Sequence, residues 1–179
     1  MTIAKDILVS KMRNVILGID PGLNGAMAFF DADTGALTLL DMPTLHAGAG
    51  GKRVLDDDSL ARTIDGRSGE IRHAFIEQVG SRPGEGAVGA FSFGQGYGVL
   101  RGILAAGFVP RSYVRPARWK KAMGVPAQKD GARARASELL PAYAGLWVRV
   151  KDDGRAEAAM IALYGARVLL SGMMGESDG

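Results

Sequence analysis

The chain is 179 residues long, 47% hydrophobic and 23% charged, which fits one globular domain with a sizeable core and excludes a disordered protein. Its formal net charge of +3 and pI near 9.3 permit a polyanionic partner without requiring one. It has no cysteine and only two histidines, His46 and His73, so disulfides and thiolate zinc sites are excluded and oxygen ligands would favour magnesium or manganese.

Residues 1–14 carry Lys5, Asp6, Lys11 and Arg13 around a very short apolar segment. They read as an N-terminal extension that is neither a signal peptide nor a membrane span, so a cytoplasmic location is the expectation. Next comes Val15-Ile16-Leu17-Gly18-Ile19, β-branched and too short for a helix, hence a buried strand. Asp20 ends it, Pro21-Gly22 turns the chain, and residues 26–30 return as a hairpin partner. A carboxylate at the end of a buried strand is costly unless neutralised. A metal ion and a satisfied turn cap would both do this, and the stretch by itself does not separate them. Asp33-Thr34-Gly35 marks another turn, and residues 36–40 complete a three-stranded antiparallel meander.

Residues 46–53 read as a mobile loop with a basic end, Lys52-Arg53, suited to a phosphate contact. The loop is not a nucleotide phosphate loop, because His46 stands where a glycine is needed and Arg53 where a Ser or Thr is needed. Asp56-Asp57-Asp58-Ser59 opens a helix, with Asp58 or Ser59 as its expected N-cap. Residues 73–79 form the next strand, broken by a second acid, Glu77, near its carboxyl end, where open α/β sheets gather functional groups. A glycine-rich, mobile stretch over residues 81–89 carries Arg82. In the helix that follows, Phe93, Tyr97, Leu100 and Leu104 share one face, and glycines 94, 96, 98 and 102 suggest close approach to another backbone.

A strand over residues 109–114, a short helix from Pro116 to Gly124 and a helix over residues 128–140 come next. This region collects Arg111, Arg115, Arg118, Lys120, Lys121, Lys129, Arg133 and Arg135 against Asp130, with Tyr113 and Trp119 among them. That concentration in a chain so near neutrality reads as a phosphate-tracking surface. The last helix opens on Asp152-Asp153-Gly154-Arg155-Ala156-Glu157 and is apolar nearly all round thereafter. Asp153 and Glu157, four apart, lie on one helical face.

Asp20, Glu77, Asp153 and Glu157 each interrupt or begin an apolar element, and if they converge they need cations to stay ionised. Two magnesium or manganese ions, about 3.5–4 Å apart, would resolve the repulsion and supply a mechanism for phosphodiester hydrolysis. The order Ile19-Asp20-Pro21-Gly22, Ile76-Glu77-Gln78-Val79, Arg155-Ala156-Glu157-Ala158 resembles the RuvC-type Holliday junction resolvases of the RNase H-like superfamily, phage-type members in particular.

That resemblance runs over residues 15–170 and implies an α/β, RNase H-like fold: a five-stranded mixed sheet, its first three strands antiparallel, flanked by helices. Residues 171–179 would be a flexible tail. It implies a homodimeric, metal-dependent crossover junction endodeoxyribonuclease acting on branched DNA in recombination, repair or phage DNA processing, in a bacterial or phage-infected cell. By position, Asp20 and Glu77 match the first two metal ligands. The family's last helix supplies two acids three apart, which here would place Gly154 at the outer one, so Asp153 with Glu157 is the expected substitute pair. Lys129 resembles a catalytic basic residue of the family, and Lys120 or Lys121 an earlier one. Arg82, Arg115, Arg118, Lys120, Lys121, Lys129 and Arg133 are the expected DNA contacts. The alternatives are a nuclease acting on RNA–DNA hybrids or flaps and a junction-binding protein without activity. The ATP-binding fold of sugar kinases also opens on Ile-Asp-x-Gly, but it needs a second domain for which this length leaves no room.

Overall fold

A computed structural model describes residues 14–47, 50–80, 84 and 86–172. Residues 1–13 of the expected extension, residues 173–179 of the expected tail and Arg82 lie outside the described residues. In chain order the elements are β1 (Val15–Asp20), β2 (Ala26–Asp31), β3 (Leu37–Asp41), β4 (Thr44–Ala47), β5 (Lys52–Leu55), α1 (Asp57–Asp65), β6 (Ile71–Glu77), α2 (Ala87–Ala106), β7 (Arg111–Val114), α3 (Pro116–Met123), α4 (Gly131–Leu139) and α5 (Asp153–Leu170). The main sheet has the order β3-β2-β1-β6-β7. β1, β2 and β3 pair antiparallel, whereas β6 runs parallel to β1 and β7 parallel to β6. This is the five-stranded mixed sheet of an RNase H-like fold.

Side chains alternate across each strand, so every strand feeds two cores. Ile16, Ala28, Phe30 and Phe75 face α3, α4 and α5. Leu17, Ile19, Met27, Phe29 and Ile76 face the opposite way, onto Leu60 and Ile64 of α1 and Leu100 and Leu104 of α2. Continuing the alternation to the strand ends puts Asp20 and Glu77 on the α5 side. Helix α5 lies directly on β1: a Cβ at Gly18 would stand 2.8 Å from the Ala162 Cα. Only glycine admits that approach. No helix among the described residues is long and apolar enough to cross a membrane.

Four local expectations change. In the stretch over residues 46–53, expected as a loop, residues 46–47 and 52–53 lie in strands: β4 and β5 pair as a separate hairpin, with His46 opposite Arg53, and residues 48–49 lie outside the described residues. Asp56, not Asp58 or Ser59, caps α1, its Oδ1 accepting from the Ser59 N–H at 2.9 Å. Helix α4 begins at Gly131, which leaves Lys129 in the preceding turn. Gly94, Gly98 and Gly102 of α2 meet nothing among the described residues within 4 Å of an added Cβ, so they make no close approach to the described backbone.

Candidate active site

β1 and β6 are parallel neighbours with Ile19 opposite Ile76, so the acids that follow, Asp20 and Glu77, emerge side by side at the carboxyl end of the sheet. Helix α5 crosses above them and supplies Glu157 one turn from its start. Each of the three carboxylates offers an oxygen within 4.8 Å of the other two. Glu77 is buried, while Asp20 and Glu157 are half-buried. Burial, first, and then the negative charges of Glu157 and Glu77 push the Asp20 carboxyl up to about 7; the Gly22 N–H and the Lys120 ammonium oppose this.

Helix α3 braces the cluster. Trp119, wholly buried, donates its indole N–H to Glu77 Oε1 at 2.9 Å. The next residue, Lys120, places Nζ 2.7 Å from Glu157 Oε1 and over the Trp119 ring at 5.2 Å. Gly124 closes the helix in the left-handed region with φ of 65°. Trp119 was expected on a phosphate-tracking surface; it instead orients a carboxylate from inside the core. Pro116 at the helix start was visible in the sequence, but the partner of the indole lies 42 residues earlier, and no local pattern reports it.

Asp153 stands apart from the three. Its Oδ1 accepts from Arg133 Nε at 2.5 Å, and Arg133 also donates to the Val148 carbonyl. At Gly154 an added Cβ would lie 2.8 Å from Gly25 Cα and 3.0 Å from Asp20 Oδ2. The start of α5 is pressed against the turn after Asp20, and there is no space for a side chain there. Arg115 and Lys121 are exposed on α3 or at its start, Arg118 is half-buried on the same helix, and Lys129 is exposed in the turn before α4. His73 does not join the acids: its Nε2 contacts Ser112 Oγ at 2.9 Å and its ring packs on Phe75. The donor set is therefore all carboxylate oxygen, suited to a hard divalent cation such as magnesium or manganese rather than zinc.

No family model and no curated protein matches the sequence. Solved structures do match. RuvC of T. thermophilus in complex with Holliday junction substrate aligns with a TM-score of 0.57 and 19% identity over 89% of this chain and 96% of that one. Another structure of Thermus thermophilus RuvC gives 0.55 and 22% over 88% and 96%. The yeast mitochondrial Holliday junction resolvase Ydc2 gives 0.58 and 14% over 87% and 78%.

The fold is RuvC-like.

In this RuvC-like fold the three acids occupy the carboxyl ends of the central parallel strands and the helix laid over them.

Proposed function

We propose that the chain is a divalent-metal-dependent endonuclease that hydrolyses phosphodiesters in branched DNA, four-way junctions above all, as a phage-type relative of RuvC. The observation that carries this is the convergence of Asp20, Glu77 and Glu157 at the carboxyl end of a RuvC-like sheet. The three carboxylates would hold the metal, with Asp153 joining them only on release from Arg133. A pair of magnesium or manganese ions, when bound, supplies a nucleophilic water at neutral pH and charge stabilisation at the leaving 3′ oxygen. Trp119 holds Glu77 at a fixed angle through Oε1. Lys120, on Glu157, brings a positive charge beside the place where phosphorane charge builds. Lys121, Lys129, Arg115, Arg118 and Arg133, with Arg82, are the proposed phosphate contacts, and Lys129 a further catalytic cation.

One site of this size reaches one scissile phosphate, so paired cuts need two copies of the chain. The outward face of α2 is the proposed dimer surface: Val88 and Phe91 are 75% exposed, and Gly94, Gly98 and Gly102 recur at four-residue spacing behind them. Small residues at that spacing let two helices approach closely.

A four-way junction and an RNA–DNA hybrid offered in parallel test the reading. Symmetric nicks near the branch point in magnesium or manganese are expected, lost in Asp20→Asn while junction binding persists. Cutting confined to the RNA strand would transfer the chain to the hybrid-specific alternative. Cleavage surviving in Asp20→Asn would overturn the site.

A further inference from the structure

The carboxylate cluster carries a cation of its own. Lys120, reaching across from α3, places Nζ 2.7 Å from Glu157 Oε1, with 39% of the lysine side chain and 22% of the glutamate side chain exposed. Its ammonium lies 5.2 Å from the centre of the Trp119 ring, and Trp119 is fixed on Glu77 by the 2.9 Å indole bond. The lysine thus follows a residue anchored on one acid of the cluster and is itself held by a second. The two contacts come from consecutive residues of α3, so one turn of helix addresses both Glu77 and Glu157.

A divalent ion held by all three acids needs the carboxylate on which Lys120 sits. Asp20, Glu77 and Glu157 offer oxygens within 4.8 Å of one another. One ion spans such a spacing with little adjustment, because magnesium–oxygen bonds are about 2.1 Å and opposite ligands lie about 4.2 Å apart. An ion bound to Glu157 Oε1 would then stand no farther than about 5 Å from the ammonium on that same oxygen. Charges of +2 and +1 at that separation repel strongly in a half-buried site. We infer that Lys120 is the built-in counter-ion of the cluster in the metal-free protein, and that it and the divalent ion exchange on Glu157. This rests on the metal-dependent nuclease reading above. The exchange gives Lys120 two tasks in sequence. Paired with Glu157, it is a positioning residue that holds the carboxylate in place for the ion. Displaced, its flexible four-carbon stem carries the ammonium away from Glu157 and makes it available to an incoming phosphate. The lysine is therefore offered to the substrate only after the ion is in place.

Two measurements made without turnover test this. Acylation of amines by a succinimidyl ester, followed lysine by lysine by mass spectrometry on the DNA-free protein, reports whether Lys120 is engaged. Magnesium should speed modification of Lys120 several-fold while the exposed Lys121 changes little. Glu157→Gln should give the fast rate at Lys120 without metal. Manganese binding, followed by electron paramagnetic resonance, should be roughly tenfold tighter in Lys120→Met than in the native chain. That variant should nevertheless cut four-way junctions more slowly at saturating manganese. Tighter manganese binding with unchanged reactivity of Lys120 would reduce the effect to repulsion through space and overturn the exchange. Equal or weaker manganese binding in Lys120→Met would overturn it too, with the native chain's metal site intact. A native chain that binds no manganese at all would instead remove the metal-dependent nuclease reading, and the exchange with it.

Discussion

At Asp20 the cost of the site can be measured directly. Its carboxyl is raised from 3.8 to about 7 by burial, Glu157 and Glu77. Between those values the folded chain holds a proton that the unfolded chain has released, so stability falls as pH rises through the window. The metal-free protein should therefore unfold at lower temperature at pH 8 than at pH 5. Asp20→Asn should remove most of that decline and gain on the order of 1–3 kcal/mol at pH 8; a variant no more stable than the native chain there refutes the electrostatic account. Magnesium should raise the unfolding temperature of the native chain and not of Asp20→Asn. Trp119→Phe keeps most of the buried volume but takes the donor from Glu77. It should weaken metal activation roughly 10–100-fold, read as a shift of the magnesium dependence of cleavage to higher concentration. Asp20, Glu77 and Glu157 were legible in the sequence because each is a charge set in an apolar run. The division between Glu157 and Asp153 was not. Four residues put both on one helix face, but what captures Asp153 is Arg133, from a helix whose position the local sequence does not report.

Among the elements, α5 and β1 hold the site in register. Gly18 of β1 is overlain by the backbone of α5, and Gly165 of α5 by the ring of Phe75, where an added Cβ would come 2.8 Å from Cγ. Gly18→Ala must lift the helix that carries Glu157 off the strand that carries Asp20. It should cost about 1–3 kcal/mol in urea unfolding and reduce cleavage beyond what the stability loss explains. The far side of α5 is tied down by charge: Arg155 grips both oxygens of Asp41 at 2.6 Å, and Arg149 grips Asp152. These arginines hold the Asp41 carboxyl below its usual range and that of Asp152 down to about 2. Both groups thus add stability above the ordinary carboxylate range that is lost as pH falls, for Asp152 through about 2. Arg155→Met should flatten the acid limb of the unfolding profile, the reverse of the change expected from Asp20→Asn. The main strands were readable from alternation and turn residues. The β4–β5 hairpin was not, because glycines and charges dominate its sequence and its pairing rests on backbone bonds.

For the whole molecule, the proposed pairing of two chains through α2 makes a separate prediction. Phe91→Glu combined with Gly98→Glu places charge on an exposed apolar stripe without touching the core. The variant should sediment as a monomer and nick junctions singly rather than in pairs. A variant that remains dimeric rules out α2 as the interface. The glycines of this helix suggested close packing in the sequence, and among the described residues Gly94, Gly98 and Gly102 have nothing to pack on. The order of assembly adds one more consequence of α5 lying across β1. Two of the three acids, Asp20 and Glu77, lie in the first half of the chain, and the third arrives only with the final helix. During synthesis, when folding proceeds from the N-terminus, the early strands can pair while Gly18 is still uncovered. A growing polypeptide thus carries an incomplete carboxylate set, and the proposed metal site forms only once α5 has been made.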